Sequence, residues 1–264
     1  MNQLLVDSPL FRNEERQCAL CGRTTKMTYE HIPPRSSGNA SPAKPITMKS
    51  FLESKKQYPW DKGIKYKNQQ AGIGVYSLCK DCNNRTGEWY GAEYAGWVAR
   101  AKNMLITNDI NDYGHVRFEE VYPQRFLKQV LSMFCSINPQ ADIADLRAYV
   151  LDKEATKIDR SKYRVMMFFT KSQTRRMYGF TALAKSPEKC VLFSEIVAYP
   201  FGFALFIDPE DETEGDWFDI TPLANCTYSQ QCNVLLPLML QEVNGFFIGD
   251  YRSMEEIVNE VESE

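Results

Sequence analysis

The sequence predicts an α+β fold in two parts, a small module held by paired cysteines and a mixed domain of helices and an antiparallel sheet. Three observations carry this. Two Cys-x-x-Cys pairs, Cys18/Cys21 and Cys79/Cys82, bracket a Glu30-His31 segment. An apolar stripe at helical spacing follows the second pair directly. From Tyr163 onward, short runs rich in β-branched and aromatic residues are separated by turn residues, at a spacing that favours hairpins over βαβ units. The boundary is expected near residue 115, between a module over residues 1–115 and an α+β domain over residues 116–264.

Each element has its own warrant. After a short lead, Cys18-Ala19-Leu20-Cys21-Gly22 forms a knuckle whose glycine permits the tight turn that lets two sulfurs face one ion. Lys26 to Ile32 reads as a short strand. Pro33-Pro34 stops it, because proline lacks a ladder donor and restricts the residue before it, so His31 sits at a strand end. Residues 35–72, rich in Ser, Pro, Lys, Asn and Gly, form a long basic insertion with one helical turn around Met48 to Lys55. Gly74 to Leu78 alternates as a second short strand. From Asn84 to Leu105 the residues Trp89, Tyr90, Tyr94, Trp97, Val98, Ala101 and Leu105 share one helical face, with Asn83 or Asn84 as the N-cap. Tyr122-Pro123 opens a helix to about Ile137, with a stripe of Phe126, Val130, Leu131, Phe134 and Ile137, and Asp142 to Leu151 forms another. Strands are expected at Tyr163–Thr170, Met177–Ala184, Val191–Ala198 and Phe203–Ile207, with turns at Lys185-Ser186-Pro187-Glu188 and Pro200-Phe201-Gly202.

Composition narrows the function classes. No stretch approaches the roughly 18 apolar residues of a membrane span, and MNQLLVDSPLFRNEER carries neither the basic start nor the apolar core of a signal peptide. The expected location is therefore the cytoplasm, with no membrane partner. There is no glycine-rich phosphate loop. Eight cysteines in a chain of this length suit metal ligation better than a disulfide framework, so the two pairs read as metal ligands, and Cys135, Cys190, Cys226 and Cys232 as buried thiols. Four thiolates at this spacing close a tetrahedral zinc shell.

The net charge of −3 conceals a separation along the chain. Gly22 to Lys67 holds ten basic residues and three acidic ones, whereas Glu195 to Glu264 holds fifteen carboxylates and one base, Arg252. A positive segment coinciding with the cysteine motif points to a polyanion, and hence to nucleic acid. The acidic run reads as a solubilising surface.

The motifs together resemble one family. Cys18-Ala19-Leu20-Cys21, then Glu30-His31-Ile32-Pro33, then Cys79-Lys80-Asp81-Cys82-Asn83-Asn84-Arg85 is similar to the zinc-knuckle subgroup of HNH, or ββα-metal, endonucleases, over residues 16–105. The resemblance implies a zinc-stapled ββα-metal module. Within it Cys18, Cys21, Cys79 and Cys82 are ligands of a structural zinc, His31 is the general base, and Glu30 and Asn83 are ligands of a catalytic Mg²⁺ or Mn²⁺ ion. Imidazole, substantially neutral at pH 7, is the usual group to take a proton from water. Arg85, in the first turn after Asn83, and Arg35 and Lys26, which flank the His31 segment, are the expected phosphate contacts.

Two positions depart from the family pattern. Glu30 stands where Asp is commoner, and Gly72-Ile73-Gly74-Val75 occupies the place of the middle Asn, whose orienting role then falls to Asn68 or to a backbone carbonyl near Gly74. His115 has no comparable setting and reads as structural. The expected function is metal-dependent phosphodiester hydrolysis in nucleic acid, DNA ahead of RNA, in the manner of a restriction or phage-defence effector. Residues 116–264 would then serve a regulatory partner or a homo-oligomer contact. The alternative class is a zinc-stabilised nucleic-acid-binding or adaptor protein whose catalytic site has decayed.

Overall fold

A computed structural model of the 264-residue chain describes residues 9–56, 62–66, 68–107, 114–186, 189–209 and 216–262. The Pro187-Glu188 turn, most of the acidic loop after Asp208, and parts of the lead and the basic insertion lie outside the described residues. The fold is α+β, and every named strand pairing is antiparallel.

The first half is built on a three-stranded sheet of β1 (Glu15–Gln17), β2 (Thr24–His31) and β3 (Gly74–Cys79), in that order. Both motif strands lie close to their expected bounds. A bulge between Thr28 and Tyr29 shifts the β2–β3 register, after which Glu30 faces Val75 and His31 faces Gly74. The insertion is more ordered than its composition suggests. It holds helix α1 (Met48–Ser54), capped by the Thr47 hydroxyl, and is closed by bridges Ala43–Gln69 and Ile46–Tyr66.

The helix after the second cysteine pair starts earlier than its stripe predicts. α2 (Lys80–Thr86) has Cys79 as N-cap and runs through a π-helical turn, Gly87–Gly91, into α3 (Ala92–Thr107). Neither Asn83 nor Asn84 is the cap. The reason is steric: Cys82 must swing back to meet the sulfur of Cys18, and one helical turn from Cys79 does that.

In the second half, β4 (His115–Val121) pairs with β10 (Cys232–Pro237), and α4 (Pro123–Ile137) and α5 (Ala144–Leu151) follow. A five-stranded sheet has the order β6 (Arg176–Ser186), β7 (Lys189–Ala198), β8 (Phe201–Ile207), β5 (Tyr163–Phe169), β9 (Phe218–Asp219), and α6 (Met254–Glu262) ends the described chain. The expected stripe on α4 is too narrow. Even Lys128, Gln129, Ser132 and Ser136 are fully enclosed, because α4 packs against α3, α5 and the sheet at once. The Lys128 ammonium survives there by donating to the Asp152 carbonyl and lying 4.3 Å over the Tyr149 ring, and burial pulls its pKa down to about 8.

One hydrophobic core runs from the knuckle residues Ala19 and Leu20 to Phe203 and Leu236, on both sides of residue 115. Its centre is Trp97 of α3, fully buried, stacked on Phe118 of β4 at 4.3 Å and on Phe126 of α4 at 4.1 Å. Phe126 in turn meets Phe201 and Phe203 of β8. Trp97→Ala is expected to cost about 3–5 kcal/mol in urea unfolding, the range for truncating a large buried aromatic. A loss below about 1 kcal/mol would show that this stack does not join the halves.

Candidate metal centre and the Glu30–His31–Asn83 segment

The four cysteines come from two ends of one hairpin. Cys18 and Cys21 sit on the knuckle before β2, Cys79 ends β3 and Cys82 lies one turn into α2. The knuckle turns as expected: the Gly22 N–H donates to the Cys18 carbonyl at 2.9 Å, with Gly22 at φ +70. All four sulfurs lie within 4.8 Å of one another, and Cys21 and Cys79 are 3.8 Å apart. Sulfurs about 2.3 Å from a tetrahedral ion stand about 3.8 Å apart, so the cluster can hold a zinc ion in a closed shell. Among the described residues it is the only group of three or more His, Cys, Asp or Glu ligand atoms with metal-like spacing.

Charge around the sulfurs fits a cation. The Cys18 thiol is pushed down to about 4, chiefly by the hydrogen bond from the Cys82 thiol, and that same bond leads the causes that push Cys82 up. Without an ion the sulfurs compete for protons, and a divalent cation removes the competition. Arg23, counted in the sequence only as part of the basic run, adds the nearest fixed charge. It donates to the Cys21 sulfur at 3.5 Å and to the Cys79 sulfur at 3.8 Å, and pairs with Asp81 at 2.7 Å. The other cysteines differ from expectation. Cys135 is buried, but Cys226 and Cys232 are half-buried and Cys190 is exposed, because strand and loop positions at the edge of the second half leave them open.

Of the three residues that the resemblance assigns to catalysis, Glu30 and His31 are neighbours at the end of β2 and Asn83 stands on α2. Glu30 is 6% exposed. Its carboxylate has no hydrogen-bond or charge partner among the described residues, and burial alone pushes its pKa up to about 8. Asn83 reaches across from α2 and donates through Nδ2 to the Thr28 hydroxyl at 3.0 Å and the Tyr29 carbonyl at 3.1 Å, leaving its amide oxygen uncommitted. Thr28 and Glu30 share one strand face, so Asn83 docks on the Glu30 side of β2. His31, the next residue, leaves the strand on the opposite face. Its Nε2 lies 2.8 Å from the Ala71 carbonyl, and its ring meets Tyr29 edge-on at 5.0 Å. A carbonyl only accepts, so Nε2 carries the proton and Nδ1 of the neutral ring keeps the lone pair. No direct hydrogen bond joins Glu30, His31 and Asn83.

Asn68 is exposed, and the His31 ring is held by a backbone carbonyl of the stretch before Gly74, that of Ala71, while a different asparagine, Asn39, ties the hairpin. Asn39 is 2% exposed and donates to the Pro33 and Ile73 carbonyls, each at 2.7 Å, while its Oδ1 accepts from the Ile73 N–H at 2.9 Å. It ties the chain after His31 to the chain before β3. Gly72 and Gly74 allow this closeness: a Cβ on Gly72 would lie 2.2 Å from the Asn39 carbonyl, and one on Gly74 2.1 Å from the Glu30 carbonyl. The sequence offered only a turn-like Ser-Ser-Gly-Asn, which names no partner. Lys26, Arg35 and Arg85 are all exposed, on β2, at the head of the turn Arg35–Ser37 and on α2, where Arg85 lies 5.4 Å over the Trp89 ring.

Comparison with known proteins returned nothing. No protein-family model, curated protein or solved structure matches the chain. The family resemblance therefore rests on the motif residues alone. No helix among the described residues is long and apolar enough to cross a membrane.

Elemental analysis is expected to find one zinc per chain, and Cys82→Ser to lose it and lower the thermal midpoint by roughly 10 °C. A folded Cys82→Ser protein with full zinc would remove the cluster from consideration. Glu30 supplies a pH test with a definite sign. Folded Glu30 holds its proton to about pH 8, whereas an unfolded glutamate releases it near pH 4.5, so the folded chain binds more protons between those values. The destabilisation this causes is absent below the lower value, grows as the pH rises through the window and is level above it. In magnesium-free buffer Glu30→Gln is expected to stabilise the protein above pH 8, by about 1 kcal/mol or more, and far less near pH 5. Equal effects at both pH values would mean that Glu30 ionises freely in the folded protein.

Proposed function

We propose that this protein is a metal-dependent HNH-type endonuclease that hydrolyses phosphodiester bonds in nucleic acid, with DNA favoured over RNA. The observation that carries this reading is Glu30, a buried carboxyl group without a partner among the described residues. It sits beside an asparagine docked on its own strand face and one residue before a histidine with a free ring nitrogen. Buried ionisable groups left without a partner, their pKa shifted by desolvation, mark functional sites more often than they stabilise folds.

In this reading Glu30 and the Asn83 amide oxygen hold a Mg²⁺ or Mn²⁺ ion, since oxygen donors suit a hard cation. When bound, the ion supplies charge neutralisation at the phosphate and assistance to the departing oxygen. His31 Nδ1 takes the proton of the attacking water, with the ring held by the Ala71 carbonyl. Lys26, Arg35 and Arg85 contact phosphates. The zinc cluster takes no part in the chemistry, because four sulfur ligands leave no position for water or substrate. Residues 116–264 regulate or assemble the protein, a division of labour that suits a restriction or phage-defence effector.

A second reading has its own support. Strand alternation sends Glu30 and His31 to opposite faces, and a carboxyl neutral to about pH 8 is a weak ligand at neutral pH. Both features favour a zinc-stapled nucleic-acid-binding or adaptor protein that has lost its chemistry. The readings separate in a plasmid and linear-duplex cleavage assay with Mg²⁺ or Mn²⁺. His31→Ala is expected to reduce cleavage at least about 100-fold, the usual scale for a general base, with zinc content and thermal midpoint unchanged. Cleavage at the parental rate would strip His31 of its role. Salt-dependent binding without cleavage by the parent would establish the adaptor instead.

A further inference from the structure

A small polar cleft of about 70 Å³ opens beside the loop that follows His31. It is walled by Ser37, Gly38 and Asn39, by Lys102 of α3 and by Gln173 and Arg175 of the β5–β6 connection. A water's share of liquid is about 30 Å³, so the space suits a tetrahedral oxyanion.

Among the described residues, two cations line this cleft and no carboxylate does. Lys102 donates to the Ser37 carbonyl at 3.2 Å and lies over the Tyr199 ring, while Arg175 spends one N–H on the Asn39 Oδ1 at 3.0 Å. Neither has an acidic partner among the described residues. Burial, and then the nearby Arg175 charge, lower the Lys102 pKa, as expected of an ammonium held near a second cation without a counter-ion. Gly38 keeps the ammonium accessible. It stands at φ +98, and a Cβ there would come within 3.3 Å of Nζ. Asn39 holds the wall in place through its bonds to Pro33 and Ile73, and Arg35 adds an exposed positive charge at the head of the same loop.

We propose that Lys102 and Arg175 form a phosphate-binding site for the DNA backbone, so that the second half of the chain supplies a residue to the substrate cleft. This rests on the nucleic-acid reading above and extends it. Arg175 offers planar N–H donors and Lys102 a point charge, a pairing that suits a phosphate oxygen pair and reads no base.

The test is fluorescence anisotropy with a labelled DNA duplex, using zinc-loaded full-length protein that carries His31→Ala, without added Mg²⁺. Adding Lys102→Gln and Arg175→Gln is expected to make the slope of log affinity against log salt shallower by about 1, and to weaken binding roughly tenfold near 0.1 M salt. Lys102→Arg alone is expected to retain both. Unchanged slope and affinity in a folded double variant would overturn the site. So would equal losses for Lys102→Arg and Lys102→Gln, which would assign the effect to packing. If the His31→Ala protein fails to bind DNA at all, the site falls together with the nucleic-acid reading. If the parent binds DNA through this pair yet never cleaves it, only the nuclease reading falls.

Discussion

Four sulfurs within 4.8 Å of one another bring the knuckle before β2 against the junction of β3 and α2, across 61 positions of chain between Cys18 and Cys79. Closing a loop of that length costs several times RT in entropy, and three of the four thiols are buried besides. A bound cation offsets both costs at once, because thiolates that repel one another become ligands. The consequence is positional. With Cys79 and Cys82 held, α2 must begin at Lys80, and Asn83 falls one turn further on, directly against β2.

The site has a second boundary condition on its open side. Asn39 bonds the end of β2 to the approach to β3, so the two strands are fixed by sulfur at one end and by an amide at the other. Between these anchors lies Glu30, desolvated and unpaired, at a cost the surrounding structure must carry. The insertion that holds Asn39 is itself held by the second half: Phe51 of α1 stacks on Phe246 at 4.3 Å. That C-terminal segment is pinned in turn by Arg176, which donates to the Phe247 and Asp250 carbonyls and pairs with the fully buried Glu195, to which Tyr251 also donates. A buried pair of this kind adds little net stability, but it admits few alternative arrangements of the strap.

Local pattern made much of the fold legible. Alternation marked the second motif strand and the 3.6-residue period marked α3 and α4, because burial on one face writes a period into the chain, while runs of β-branched and aromatic residues between turn residues marked four strands of the large sheet. Where burial was not one-sided, the pattern misled. α4 is enclosed on every side, so its polar residues read as a solvent face that does not exist. Cys190 is exposed although thiols are usually buried, since it stands at the β6–β7 hairpin end, where the register with Ala184 is set by the pairing and not by the thiol. Asn39 was invisible because the hairpin partners that fix it, at Pro33 and Ile73, are backbone groups, and backbone groups carry no sequence signature.

By itself, the sequence determined the ligand chemistry. Cysteine pairs at two-residue spacing, with Glu, His and Asn between and after them, state which atoms are available for a metal and for a proton, and covalent geometry holds each pair close enough to share an ion. Only the tertiary structure decided how those atoms stand toward one another. The burial that leaves Glu30 unpaired, the carbonyl that selects the His31 tautomer and the pairing of Lys102 with Arg175 across the two halves all arise from segments far apart in the chain. Their juxtaposition follows from the main core around Trp97, which no local period encodes.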